Sequence, residues 1–245
     1  MSDFLDLNPE QYEQMTAGGY FRAHRESKWC LGWDPAQSVD FSALVLCEAT
    51  RDPIEPRDGA DWLNENTLRQ KLSPQTIRIQ TMVRLPPRMN YVDQIFKVKA
   101  LLQHPMLRDK RVELVLDRSG CGRPLGDQCR QLGLRPTLIT IVGGSHEASD
   151  NDGALRVPKQ TLITLLQACL NNAEIKYPAK HPETPELLKQ LANFTATISQ
   201  SGTAAYAAAG GAGNHDDLVL ALSYCLHRLS NRRSGGHYSV QRLAL

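Results

Sequence analysis

No CxxC pair occurs among the six cysteines, Cys30, Cys47, Cys121, Cys129, Cys169 and Cys225. Their scatter argues against a zinc ribbon or a redox dithiol, and several sit in apolar runs where a reduced, buried thiol is the expected state. No run approaches the ~18 consecutive apolar residues of a membrane span. The first residues are acidic and polar, unlike a secretory signal, so a reducing, cytoplasmic setting without a membrane is expected. A phosphate loop of the form GxxxxGK[ST] is missing, and the Gly-rich stretch 208–213 lacks the lysine such a loop needs. A net excess of either charge is also lacking: 28 Lys and Arg against 26 Asp and Glu leave +2 over 245 residues, so any surface that meets a polyanion must be local. What is present is an ordinary soluble composition, 41% hydrophobic and 22% charged. The length suits one α/β domain with appendages.

Three segments follow from the patterning: an N-terminal arm over 1–28, a domain over 29–230 and a basic tail over 231–245. The arm carries a short helix with Asn8 as its cap and Pro9 in its first turn. Residues 29–34 form a first strand, Pro35 to Ser38 a turn, and 41–47 a second strand, which makes an antiparallel hairpin. Residues 51–75 are charged and broken by prolines and read as an inserted excursion. A third strand over 76–85 alternates polar and apolar, and a helix follows over 91–103. A fourth strand over 111–117 is apolar enough for the middle of a sheet covered on both faces. Then come a helix over 124–132 closed by Gly133, a fifth strand over 137–142, and a loop over 145–157 with His146, Glu147, Asp150 and Asp152. That loop reads as a solvated acidic surface before it reads as a metal site. Pro158 opens a helix, 187–194 forms a short one, and a hairpin over 196–207 leads into a last helix over 216–230.

The chemistry concentrates in carboxylates. Asp216 and Asp217 stand side by side at the start of the last helix, behind a glycine-rich approach. An Asp cap with an acidic first turn accounts for such a pair. So does a pair offered to a cation, because carboxylates this close repel unless something positive lies among them. Asp34 ends the first strand and Asp117 ends the fourth. Asp34 alone reads equally as a turn-initiating Asp before Pro35. Ligand sites in α/β sheets form beyond the carboxyl ends of the strands. If the first and fourth strands are neighbours, these two acids converge, and the last helix can bring Asp216 or Asp217 to the same point. Such a set holds hard oxygen donors without thiolates, which suits Mg²⁺ or Mn²⁺. Two such ions ~4 Å apart clamp the attacking and leaving oxygens of a phosphodiester.

Gly32-Trp33-Asp34-Pro35-Ala36 with Ser38 and Asp40, Leu116-Asp117-Arg118-Ser119-Gly120-Cys121-Gly122, and His215-Asp216-Asp217-Leu218-Val219-Leu220-Ala221-Leu222 together resemble the ribonuclease-H-like nucleases. More closely they resemble the C-terminal nuclease domain of the large terminase subunit of tailed phages, over about residues 29–230. The resemblance implies a mixed five-stranded α/β sheet flanked by helices, with an added hairpin before the last helix. It implies metal-dependent cutting of concatemeric double-stranded DNA during genome packaging, with two Mg²⁺ or Mn²⁺ ions. On that pattern Asp34 bridges the metals, Asp117 is the second acid and Asp217 the third. Asp216 is a further ligand or a supporting group, and the sequence does not rank the last two. His215 either orients water or a ligand or caps the helix. Lys159 either faces DNA phosphate or is a solvated helix-start lysine. Implied partners are a packaging ATPase domain, the small terminase subunit and the portal. The missing phosphate loop departs from full-length large terminases, so this chain should not pump DNA by itself, and the 51–75 insertion has no counterpart in the resemblance.

Two other readings stay open: a resolvase of four-way DNA junctions using similar acids, and a non-catalytic module docking on a packaging motor. The last stretch carries Arg228, Arg232, Arg233 and Arg242 and suits a polyanion. DNA affinity is then expected to fall steeply with salt. Joint replacement of Arg228, Arg232 and Arg233 by Ala should flatten the log–log slope by roughly 0.9 per lost phosphate contact. Fluorescence anisotropy over a salt series reads this, and an unchanged slope removes the tail from binding.

Overall fold

The alternation of the first strand sets up the architecture. In β1 (Glu26–Asp34), Cys30 faces one side while Trp29, Leu31 and Trp33 face the other, and both sets are buried. A strand wanted on both faces must lie inside a sheet with helices above and below. The structure is a computed structural model and describes residues 26–52, 74–120, 122–198, 204–208 and 216–230. The expected arm over 1–28, apart from its last residues, lies outside that set. So do most of the 51–75 insertion, His215 and the tail over 231–245.

Around β1 lie β2 (Ser42–Arg51) and β3 (Thr76–Leu85), then helix α1 (Tyr91–Leu102), β4 (Val112–Asp117), α2 (Gly122–Gln131) and β5 (Thr137–Val142). The chain continues through β6 (Ala148–Ser149), β7 (Leu155–Pro158), α3 (Lys159–Asn171), β8 (Ile175–Lys176) and α4 (Thr184–Asn193). It then forms a hairpin of β9 (Phe194–Ile198) and β10 (Ala204–Ala208) and ends in α5 (Asp217–Ser230). The main sheet runs β6-β7-β5-β4-β1-β2-β3-β8. The five strands expected from sequence are consecutive in it, and three short strands extend the edges. Two of these, β6 and β7, fall where a plain acidic loop was expected. β6 has only two residues, and β7 is a four-residue run of mixed burial ending in Pro158, too short for periodicity to mark. β1 is antiparallel to β2 and parallel to β4. The neighbouring of the first and fourth strands, on which convergence of Asp34 and Asp117 depends, is therefore present.

Alternation in β3 changes phase along the strand: Ile77 and Ile79 are buried, then Met82 and Leu85. The cause is a register shift opposite Leu46 and Cys47, an extra residue that rotates the rest of the strand. It leaves Arg84 on the flank that meets α5. At the other junction predicted from sequence, Gly133 ends α2 with φ of +85°, the left-handed turn that glycine adopts without penalty.

Two apolar layers sandwich the sheet. One joins Trp29, Leu31, Trp33, Leu44, Leu114 and Leu116 to Ile95 and Val98 of α1 and Leu125 and Cys129 of α2. The other joins Cys30, Val45, Val115 and Ile139 to α3 and α5. Helix α5 is buried from Asp217 through His227 without a break, as a helix inside a domain should be. It lies on β1 and β2. A Cβ on Gly32 would collide with the Ala221 carbonyl oxygen and lie 3.1 Å from Cys225 Sγ. The Gly32 amide instead donates to that sulfur at 3.1 Å. Cys30, Cys47, Cys129, Cys169 and Cys225 are all free and buried, as their apolar settings predicted. Among the described residues no helix is long and apolar enough to cross a membrane.

Gly32→Ala should therefore push α5 off the sheet and cost about 1–3 kcal/mol in urea unfolding. Gly143→Ala, whose Cβ would meet open space, should stay within ~0.5 kcal/mol of the parent. Equal effects would mean that the close approach at Gly32 is not limiting.

Candidate active site

Asp34 leaves β1 half-buried, and its position is braced from two sides. The Trp33 indole donates to Ser42 Oγ at 2.9 Å, and that hydroxyl donates to the Asp34 carbonyl at 3.1 Å. Buried Gln94 of α1 donates to the Ala36 carbonyl at 2.7 Å, so the Pro35-Ala36 turn is fixed as well. Asp117 leaves β4 one strand away and is buried. The Ser119 amide and hydroxyl donate to Asp117 Oδ1 at 2.8 and 2.6 Å, and the Ile141 amide donates in turn to the Ser119 hydroxyl at 2.7 Å. The Asp117 carboxylate is thus aimed by its own strand-end turn and by β5.

Tyr224, fully buried on α5, joins the two acids. Its hydroxyl lies 3.1 Å from Asp117 Oδ2 and 3.4 Å from Asp34 Oδ1. Burial, then the charges of Asp117, Asp216 and Asp217, push the Asp34 carboxyl well above the ordinary 3.8. Burial raises Asp117 too, opposed by the Ser119 and Tyr224 hydrogen bonds and by the charge of Lys159. Burial and the two neighbouring carboxylates also raise the Tyr224 phenol, so it stays a donor.

The adjacent acids of α5 have different surroundings. Asp217 is buried, and both its oxygens are engaged. Arg84 Nε donates to Oδ2 at 2.8 Å and Gln190 Nε2 donates to Oδ1 at 2.8 Å. Gln190 Oε1 meanwhile accepts from the Leu218 and Val219 amides at 3.0 and 3.4 Å, capping a helix start whose amides otherwise lack partners. Arg84 also stacks 3.9 Å over the Phe41 ring. Asp216 is half-buried and pairs with Lys159 Nζ at 3.2 Å.

The structure thus brings Asp34 and Asp117 together around one hydroxyl, with Asp216 and Asp217 within electrostatic reach of Asp34. Lys159 is at this site, on Asp216. Arg228 is elsewhere, donating to Glu113 at 2.8 Å. His215, Arg232 and Arg233 lie outside the described residues. Of the loop acids, Asp150 and Asp152 grip the guanidinium of buried Arg118, which also donates to Thr140 Oγ1 at 2.9 Å. Glu147 pairs with His227 at 3.1 Å. These acids are spent on arginine and histidine. Sequence reasoning did not single out Tyr224, Arg84 or Gln190. Tyr224 had a signal, since seven residues after Asp217 is two helical turns along one face.

Among the described residues, no group of three or more His, Cys, Asp or Glu side chains stands ready to enclose a metal ion. The donor chemistry of the converged pair nevertheless fits a hard divalent cation. It offers carboxylate oxygens without thiolates, and repulsion that raises Asp34 is what a cation between the acids would relieve.

No protein-family model matches this sequence, and no curated protein sequence does. A search of solved structures finds the crystal structure of the large terminase nuclease from thermophilic phage G20c with bound magnesium. The TM-score is 0.54 at 19% identity, over 85% of this chain and 90% of that one. The fold is ribonuclease-H-like. The five central strands and the helices on both faces are as the sequence motifs implied.

Splitting the adjacent acids has a measurable consequence. Asp217→Ala removes the partner of the largely buried Arg84, leaving Glu186 3.9 Å away, and should cost roughly 3 kcal/mol of stability. Asp216→Ala breaks a half-exposed pair and should cost under ~1 kcal/mol. Urea unfolding of both variants checks this, and equal losses would contradict the division of roles.

Proposed function

We propose that this protein is a divalent-metal-dependent endonuclease that cuts concatemeric double-stranded DNA during phage genome packaging. The observation that carries the reading is the convergence of Asp34 and Asp117 from the carboxyl ends of two adjacent parallel strands, beneath the acidic start of a buried helix. The likeness in fold to a terminase nuclease whose crystal structure holds magnesium supports the same reading. Two bound Mg²⁺ or Mn²⁺ ions would supply Lewis-acid activation of water and charge neutralisation at the scissile phosphate.

The chain's own residues have separable tasks. Asp34 and Asp117 are the pair that would hold the cation, in orientations fixed by Ser119, Ser42 and Tyr224. Asp216 is the third acid best placed to join them, because its carboxylate is more exposed than that of Asp217 and, among the described residues, pairs with Lys159. Lys159, which pairs with Asp216 at 3.2 Å, is the cation at this site that would meet DNA phosphate. Asp217 anchors α5 through Arg84 and Gln190 and so sets where Asp216 stands. The double-stranded DNA, a packaging ATPase, the small terminase subunit and the portal are the partners this role requires. DNA is expected to be held mainly through phosphates, with little sequence preference.

Nicking and linearisation of supercoiled plasmid with Mg²⁺ or Mn²⁺ tests the proposal. The wild-type chain should cut and lose activity to background with EDTA, and Asp34→Ala and Asp117→Ala should be inactive while still folded. Cutting that survives both substitutions, or no cutting by folded wild type with either ion, would contradict it.

A further inference from the structure

Tyr224 is chemically odd where it sits. The ring belongs to the apolar layer between α5 and the sheet, and phenylalanine would fill the same volume. The hydroxyl adds nothing to packing and costs free energy to bury unless it is bonded. Among the described residues its partners are Asp117 Oδ2 and Asp34 Oδ1 and no other group. Its place is not left to chance, because α5 comes down onto β1 at Gly32, where the Ala221 carbonyl fills the space a Cβ would need.

We propose that Tyr224 is a positioning residue for the two acids, its hydroxyl fixing the orientation and spacing of Asp34 and Asp117 for divalent-cation binding. This rests on the nuclease reading above and names a residue of that same site. The geometry supports it in three ways. A phenol has one proton, so it donates to one carboxylate at a time while its oxygen stays within 3.4 Å of both. Each carboxylate oxygen has two lone pairs, so accepting from Tyr224 leaves Asp117 Oδ2 able to bind a cation as well. Ser119 holds the other oxygen of Asp117, and with Tyr224 on Oδ2 the carboxylate plane is defined from both sides. Groups that orient metal-binding side chains in this way typically contribute 10–100-fold to metal affinity.

The test is calorimetric titration of the full chain with Mn²⁺, wild type beside Tyr224→Phe, with melting temperatures of both. The expected result is about 10-fold or greater loss of Mn²⁺ affinity in the folded variant. The Mg²⁺ concentration for half-maximal nicking should rise by a similar factor while the maximal rate changes less. Unchanged affinity in Tyr224→Phe overturns the proposal and leaves the nuclease reading intact. If wild type binds neither ion, the nuclease reading fails and this inference with it. Should Tyr224→Phe not fold, the wild-type chain labelled with ¹³Cζ-tyrosine answers instead. Of the seven tyrosines, the resonance of Tyr224 should shift on Mg²⁺ titration, and a spectrum that does not move overturns the proposal.

Discussion

The contact between α5 and β1 is the constraint on which the site depends. Side chains on a sheet normally hold a packed helix away from it. Here Gly32 has none, and the Ala221 carbonyl occupies the space a Cβ would need. The gain is reach. From that depth, Tyr224 extends between two strand ends while the first turn of the same helix stands beside Asp34. A larger residue at position 32 would lift the helix and separate the hydroxyl from the acids, whatever the acids themselves did.

Around that contact, the structure sorts like charges by pairing most of them with cations. Asp217 pairs with Arg84 and accepts a hydrogen bond from Gln190, Asp216 pairs with Lys159, and Asp150 and Asp152 share Arg118. Asp34 and Asp117 share a neutral donor, the Tyr224 hydroxyl. Buried carboxylates in that condition destabilise the fold as they ionise. A raised folded-state pKa means the native state holds its proton more tightly than the unfolded chain does. The contribution of Asp34 is therefore most favourable below its ordinary value of 3.8 and is lost as pH rises through the raised one. A site that carries this cost at neutral pH is arranged for something other than stability, as functional sites often are.

Asp34 and Asp117 were legible in the sequence because each ends an apolar strand, a position where a carboxylate has no packing role. The five central strands and the helices were legible from their periodicity. What the sequence does not carry is pairing across long separations. Arg84 and Asp217 are 133 residues apart and Gln190 and Asp217 are 27, so nothing local reveals that one of two adjacent acids is already engaged. The same limit hid the edge strands β6, β7 and β8, which are too short to show a period and exist because neighbours supply their hydrogen bonds. Tyr224 sits within an unbroken buried helix, where an aromatic residue reads as core. Only the strand ends beneath it turn its hydroxyl into part of the site.

The central claim is that Asp34 and Asp117 together form a divalent-cation site. Anomalous scattering from a crystal of the protein soaked in Mn²⁺ tests it most directly. The account predicts a manganese peak at bonding distance from carboxylate oxygens of both residues, with Asp216 turned from Lys159 toward the ion. A fully soaked crystal with no peak there, or with its manganese bound by residues that include neither acid, would contradict it.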